Sequence, residues 1–319
     1  MSTASGFSKI VKRHRRRQLT WTRSSVRRID KLLKRSAAET AERLKVVVGT
    51  DSLQEKYLSA LLSDLNRVID NLSNDYRSML PLFLVGVAQI AADREADTAQ
   101  LVLEDIALQV ALDGLKAEIT KSVTIGGVGE VSVTFGRVAE EAVNAIAERV
   151  FKDGLNLSDR LWRLDAKTRR DIEDKVIQAV TEQKSARKLE KELRQYLTDK
   201  GLGNARYNAT RLAQTEINHA HREATIRSAT DGSGMLKSHL RAISWRLSIS
   251  HPRADVCDLW ASQDIDGLGP GNYLPENVPV EHPGGLCNVL PLLVSLPDEE
   301  FVVLEPKPDD VPESEKKRV

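Results

Sequence analysis

SWRLSISHPRADVCDLWASQDIDGLGPGNYLPENVPVEHPGGLCNVLPLL, residues 244–293, is the stretch on which the reading of this chain turns. Together with the residue before it, it opens on Ile243, Trp245 and Leu247 alternating with Ser244, Arg246 and Ser248. That period of two predicts a half-buried strand. Gly267–Pro279 is rich in turn formers, and Cys287–Leu293 is placed to return as a second strand. Both cysteines of the chain, Cys257 and Cys287, and two of its six histidines, His251 and His282, fall inside this window. It is the one place where soft or borderline ligands gather.

Three readings of that gathering stand side by side. A structural zinc ion takes four N or S donors in a tetrahedron, here His251 with Cys257 and His282 with Cys287. A Cys257–Cys287 disulfide is the second reading, suited to an oxidising setting. The third is a pair of buried free thiols packing as small hydrophobes. Catalytic alternatives are Glu216 with His219, three apart on one helix face, joined by His251 or Asp255 in an acid/base pair or a metal site, and a Cys257/His282 nucleophile pair. Asp258, Asp264 and Asp266 offer oxygens to a hard cation but lack a full calcium-loop pattern. No G-x-S-x-G, H-E-x-x-H, Walker or dinucleotide fingerprint occurs.

Outward from the window the pattern is helical. Leu58, Leu61, Leu65, Val68 and Leu72 share one helix face, with Asp51 or Ser52 as its cap and Ser73-Asn74-Asp75 as an interruption. A second apolar face runs through Leu101, Ile106, Val110 and Leu115. Val123–Ile125 and Val131–Phe135 around Gly126, Gly127 and Gly129 predict a small hairpin. Helices follow over about 137–152, 167–182, 186–198 (capped by Ser185) and 205–229. The inner face of the last would use Ala209, Leu212, Ala213, Ile217, Ala220 and Ala224. The expected class is therefore α+β and predominantly helical: an N-terminal helical region, then a C-terminal domain of helices, a few short strands and long loops. The boundaries are a basic flexible arm over 1–35, a helical region with the hairpin over 36–152, the C-terminal domain over 153–296 and an acidic, Pro-containing tail over 297–319. That tail is expected to be disordered, apart from the apolar Phe301–Leu304 patch, which is placed to dock on the body or on a partner.

A net charge of +1 conceals a split. Residues 1–35 carry twelve Lys or Arg against one acid, Asp30; the remainder carries 35 basic against 45 acidic side chains. The arm, with Lys12, Arg13, Arg15, Arg16, Arg17, Arg23, Arg27 and Arg28, does not bury enough apolar surface to fold alone. It would meet nucleic-acid phosphates or an acidic protein surface, or stay solvated or docked on its own body. No apolar run approaches the ~20 residues that cross a bilayer, and two cysteines make no disulfide framework. Synthesis in a cytoplasm is expected.

Within the window the pattern W-x-x-S-x-x-H…D-x-C-D…G-x-G…Y…V-P…H-P…C…P is carried by Trp245, Ser248, His251, Asp255, Cys257, Asp258, Gly269, Gly271, Tyr273, Val278, Pro279, His282, Pro283, Cys287 and Pro291. It resembles the C-terminal signature of the phage Mu F-like head morphogenesis family, the minor head proteins of tailed phages. That family precedes the signature with a helix bearing an R-T-E-like motif; here Arg211, Thr215 and Glu216 stand at that distance. The resemblance covers roughly 155–293. It departs at Gly285 and Trp260, where many members have further cysteines. It implies a minor capsid protein of the virion, made in the bacterial host cytoplasm and associated with the portal protein. Scaffold or coat protein, and packaged DNA through residues 1–35, are further expected partners. Its role would lie in procapsid assembly and in DNA packaging or ejection. A zinc-dependent, nuclease-like hydrolase with Glu216 as base is the alternative, and a DNA-binding protein using the arm a second one.

Overall fold

The computed structural model describes residues 3–48, 53, 58–112, 141–142, 144–145, 148–149, 157–230, 240–248, 251, 253–280, 282, 285, 287–293 and 306–316. The expected hairpin near 123–135, most of the 137–152 helix, Leu115, the caps Asp51 and Ser52, Pro283 and the Phe301–Leu304 patch lie outside them.

The chain is predominantly helical α+β. Its long helices are Thr3–Val48 (α1), Leu58–Leu112 (α2), Leu157–Thr181 (α3), Ala186–Thr198 (α4) and Ala205–Thr230 (α5). Strand Leu240–Arg246 (β1), helix Val256–Ser262 (α6), strands Asn272–Tyr273 (β2) and Asn288–Leu293 (β3) and the short helix Glu313–Lys316 (α7) follow. Two compact units emerge: residues 1–21, 84–146 and 215–319 form one, and 22–83 with 147–214 form the other. They interleave along the chain and do not follow the expected boundaries after 35, 152 and 296, because α1, α2 and α5 each contribute residues to both.

The basic arm is a correction. Residues 3–35 belong to α1 and are not a flexible tail. Phe7, Val11, His14, Gln18, Ser25, Ile29, Leu32, Leu33 and Ser36 are buried at helical spacing, so the helix has an inner face although several of its members are polar. Within the first unit Phe7 and Val11 pack with Ala99, Leu290 and Leu293. Part of the positive charge is spent internally: Arg13 and His14 both meet Asp97, and Arg17 donates to Asp93 at 2.7 Å.

α2 runs through Ser73-Asn74-Asp75 without interruption and also contains Pro81. Packing overrides the local signal here, with Leu72, Tyr76, Leu80 and Phe83 buried along one side. In the second unit the Tyr76 hydroxyl donates to the Ala209 carbonyl at 2.7 Å, and Arg206 grips Asp30 with two bonds of 2.7 and 2.6 Å. α4 begins as expected, with Ser185 Oγ accepting from Lys188 N.

In the first unit β2, β1 and β3 form an antiparallel sheet in that order. β2 falls inside the stretch expected to be turn alone. β1 is buried on both faces from Ala242 to Trp245, not half-buried. Gly271 connects sheet and helix. Its N–H donates to Gln263 O and its carbonyl accepts from Trp245 N, both at 2.7 Å. Its φ is +69°, and a Cβ there would lie 2.7 Å from Ala261 O, so only glycine fits. The tail is a second correction: residues 306–316 are ordered, and Val311 is buried.

The first unit also buries charge. Arg94 Nε donates to Glu95 Oε1 at 2.7 Å and Arg94 Nη2 to Thr225 Oγ1 at 2.7 Å. Burial holds His221 well below its ordinary value, reinforced by Arg94, Arg15 and His14. Its folded pKa thus lies beneath the unfolded one of about 6.5. The neutral ring contributes stability above about pH 6.5, and that contribution is lost as pH falls and the unfolded chain takes the proton first. On acidification from about pH 7 to about pH 5, wild-type protein should lose stability relative to His221→Gln, by at most about 1.4 kcal/mol per pH unit. Urea melts across that range measure the difference; parallel curves would contradict it. Gly86→Ala would set a Cβ 2.1 Å from Trp21 Cζ2. It should cost about 1–3 kcal/mol in thermal melts, and much of this should return in the Gly86→Ala/Trp21→Ala double variant.

Candidate metal centre

The window folds around the N-terminus of α6. Asp255 is its N-cap and accepts from Cys257 N at 2.8 Å, while Asp258 Oδ2 reaches back to accept from Asp255 N at 2.9 Å. This reciprocal capping box fixes both carboxylates at the start of the helix. Asp258 is 2% exposed and takes two further bonds: His251 Nε2 lies 2.8 Å from Oδ2, and Lys307 N from the ordered tail donates to Oδ1 at 2.8 Å.

Both histidines converge on Asp255. His282 Nε2 stands 3.0 Å from Asp255 Oδ2, and His251 Nε2 3.6 Å from Oδ1. On its other side His251 Nδ1 is 3.6 Å from Cys287 Sγ. Cys257 and Cys287 are both buried free thiols, not a disulfide. Cys257 lies in the same apolar cluster as Trp245, Trp260, Tyr273, Val278 and Cys287. The rings of Trp245 and Trp260 meet edge to face at 5.0 Å, and the Tyr273 hydroxyl donates to the Trp260 carbonyl.

The electrostatics follow from these contacts. The Cys287 thiol is pulled down to about 5, chiefly by a hydrogen bond from Cys257 and further by His251, against the opposing effect of burial. His251 is raised to about 9 by its bond to Cys287 and by Asp258, again against burial. Burial works against ionisation of Asp255, yet His282, the Cys257 N–H and His251 hold its carboxyl below the ordinary value. Each shift favours the ionised form, so the contact draws Cys287 and His251 toward a thiolate–imidazolium pair.

Of the expected quartet His251, Cys257, His282 and Cys287, the structure draws all four into one region but groups their donor atoms differently. Among the described residues, Asp255, Cys257 and His282 form one set with donor atoms within 4.8 Å of one another, and His251, Asp255 and Asp258 form another. Asp255 belongs to both, and Cys287 to neither. The sequence offers Asp258 to a hard cation with Asp264 and Asp266, and Asp255 to a site with Glu216 and His219; the structure instead groups both with the window's own side chains, which the H-x3-D-x2-D spacing at a helix start signals. Oxygen, nitrogen and sulfur donors together suit zinc, which accepts all three.

The remaining expected residues have other placements. Glu216 and His219 are buried on α5, Nδ1 to Oε2 3.7 Å apart, and belong to neither donor set. Thr215 is buried beside them, whereas Arg211 is exposed and lies over the Tyr207 ring at 6.0 Å. Further along α5, Asn218 donates to the Gly285 carbonyl and Arg222 to the Val278 carbonyl. These two, not singled out for this from sequence, tie the loop carrying His282 to the helix. Asp264 and Asp266 are turn formers: Asp264 accepts from Gly269 N at 3.0 Å, and Asp266 from Leu274 N at 2.7 Å and Asn277 Nδ2 at 2.6 Å. No protein family matches the chain, and no curated protein or solved structure matches it.

Asp258→Asn removes one charge that holds the His251 imidazolium, so Cys287 should keep its proton to higher pH. Titrations of thiolate absorbance in folded protein, blanked with Cys287→Ser, should place the variant's midpoint above that of the wild type, in which the Cys287 thiol is pulled down. An unchanged midpoint would show that Asp258 does not govern the pair.

Proposed function

We propose that this chain is a structural minor head protein of a tailed phage, associated with the portal protein and acting in procapsid assembly and in DNA packaging or ejection. One observation carries the reading. Residues of the resembling pattern scattered from Trp245 to Cys287 come together as a single packed knob: Trp245, Cys257, Tyr273, Val278 and Cys287 in its apolar core, Asp255 and Asp258 at the helix cap. The polar members bond chiefly to one another and to backbone, as in a building part. α5, which bears the R-T-E-like motif, holds the His282 loop through Asn218 and Arg222.

In this reading Asp255, Cys257 and His282 hold a structural zinc ion, which would tie the loop after β2 to the start of α6. A three-donor set also matches metal sites that keep a position open for water. That favours, as second reading, a zinc-dependent hydrolase.

The tests separate the two. Purified wild-type protein should carry about one zinc per chain, lost in Asp255→Ala and in His282→Ala, and should cut neither nucleic acid nor peptide. The protein should be found in mature particles, and a host expressing Asp255→Ala in its place should yield fewer filled heads. Turnover that disappears in Glu216→Ala, or fully infective particles lacking the protein, would sink the head-protein reading. Deleting residues 1–35 is not a clean test, since it removes buried residues of α1.

A further inference from the structure

α1 has a second face. Arg23, Arg27, Lys31 and Lys34 recur at spacings of four, four and three and are all exposed. They lie opposite the buried stripe of Ser25, Ile29, Leu32 and Ser36. Arg28 and Arg35 flank them. Arg35 is engaged with Asp75. Arg23, Arg27, Arg28, Lys31 and Lys34 make no hydrogen bond or ion pair among the described residues. The one acid in this segment, Asp30, is taken by both bonds from Arg206.

Five cations on one side of this helix, without counter-charge among the described residues, repel one another, and nothing among those residues accounts for them. We propose that Arg23, Arg27, Lys31 and Lys34 form a docking ridge for the phosphate backbone of duplex nucleic acid, bound without regard to base sequence.

The dimensions agree. From Arg23 to Lys34 the helix rises about 17 Å. One strand of a duplex presents a charge every ~3.4 Å, thus about five phosphates over that length. A rigid helix matches a rigid polyanion at that spacing without ordering either partner. Arginine at two of the four positions suits the forked geometry of phosphate oxygens.

Two other anionic partners fit worse. Protein interfaces are anchored by buried aromatic or aliphatic side chains, and none of the large exposed hydrophobics of the chain falls within this segment. Single strands are held by stacking on aromatic rings, and residues 23–35 contain none. Nor does the ridge carry the Asn or Gln amides that read base edges. The inference is independent of the head-protein reading: a chain with some other role would bind duplex by the same ridge.

The experiment is fluorescence anisotropy of the full-length protein with a labelled blunt duplex of arbitrary sequence, across a salt series. Neutralising four phosphates predicts a slope of log K against log salt of about −3.6. The triple variant Arg23→Gln/Arg27→Gln/Lys31→Gln should bind at least about tenfold more weakly at low salt, and its slope should flatten by about one unit per cation removed. Arg23→Lys/Arg27→Lys should retain the slope. Lys200→Gln, elsewhere on the surface, should leave both unchanged. All these positions are exposed, and circular dichroism confirms that each variant is folded. Undiminished duplex binding by the folded triple variant overturns the proposal. So does tighter binding to polyglutamate or to single strands than to duplex. Loss of the protein from particles with duplex binding intact bears on the head-protein reading alone.

Discussion

Asp255 is asked to do three things by one carboxylate. It ends the loop from β1 by capping α6, it faces His251 and it faces His282. A helix N-terminus favours a negative charge, and an ionised acid draws imidazoles toward it. Each demand therefore supports the others. The geometry of the window follows from this shared point. His251 comes from one side of α6 and brings Cys287 of the returning chain with it; His282 comes from the long loop after β2. Without an ionised Asp255, His282 and His251 would lose the carboxylate that they share. A region of short strands and long loops needs such a fixed centre, since its apolar core is one modest cluster around the two tryptophans.

The remainder of that unit follows the same rule on a larger scale. α5 passes from an ordinary inner face of small residues, Ala209 and Ala213, to burial of nearly every residue from Thr215 to Arg222. A helix closed in on all sides must give its polar groups partners. It does so with backbone carbonyls of the His282 loop and with the Arg94 network. The Glu95 carboxyl, pushed up by burial and held by Arg94, belongs to the same network. Such networks add less to stability than an apolar core of the same volume, but removing any one member leaves a buried charge behind. They specify one packing of α1, α2 and α5 in this unit over its alternatives.

How far this was legible in the sequence depends on which residues carry the pattern. β1 and β3, the cap Ser185 and the extent of α5 were visible, because apolar period and capping chemistry agreed there. α1 was obscured. Its inner face alternates Phe7, Val11 and Ile29 with His14, Gln18, Ser25 and Ser36, so an apolar count misses it while the charge count dominates. The acids that accept its arginines, Asp93 and Asp97, lie some eighty residues away and have no local signal. In the window the four soft or borderline ligands are legible from residue type, whereas the grouping of Asp255 and Asp258 with them depends on the capping geometry of α6. The docking of the tail rests on the backbone N–H of Lys307, which no side-chain pattern announces.

The cluster at Asp255 also links metal and protons. Asp255, Asp258 and the Cys287 thiolate place three negative charges at the start of α6. Imidazolium protons can balance them, and so can a cation. A divalent ion binds only the unprotonated ring, so it displaces protons as it enters. Because one such ion carries the charge of two imidazolium protons, exchanging one for the other leaves the electrostatic balance of the knob nearly unchanged. The same side chains can therefore hold the same fold with metal or without it. A metal held there would cross-link the His282 loop to α6 without having to supply the charge that gathers them. That would separate the knob from small zinc domains, whose ligands repel one another until the ion arrives and which unfold when it leaves.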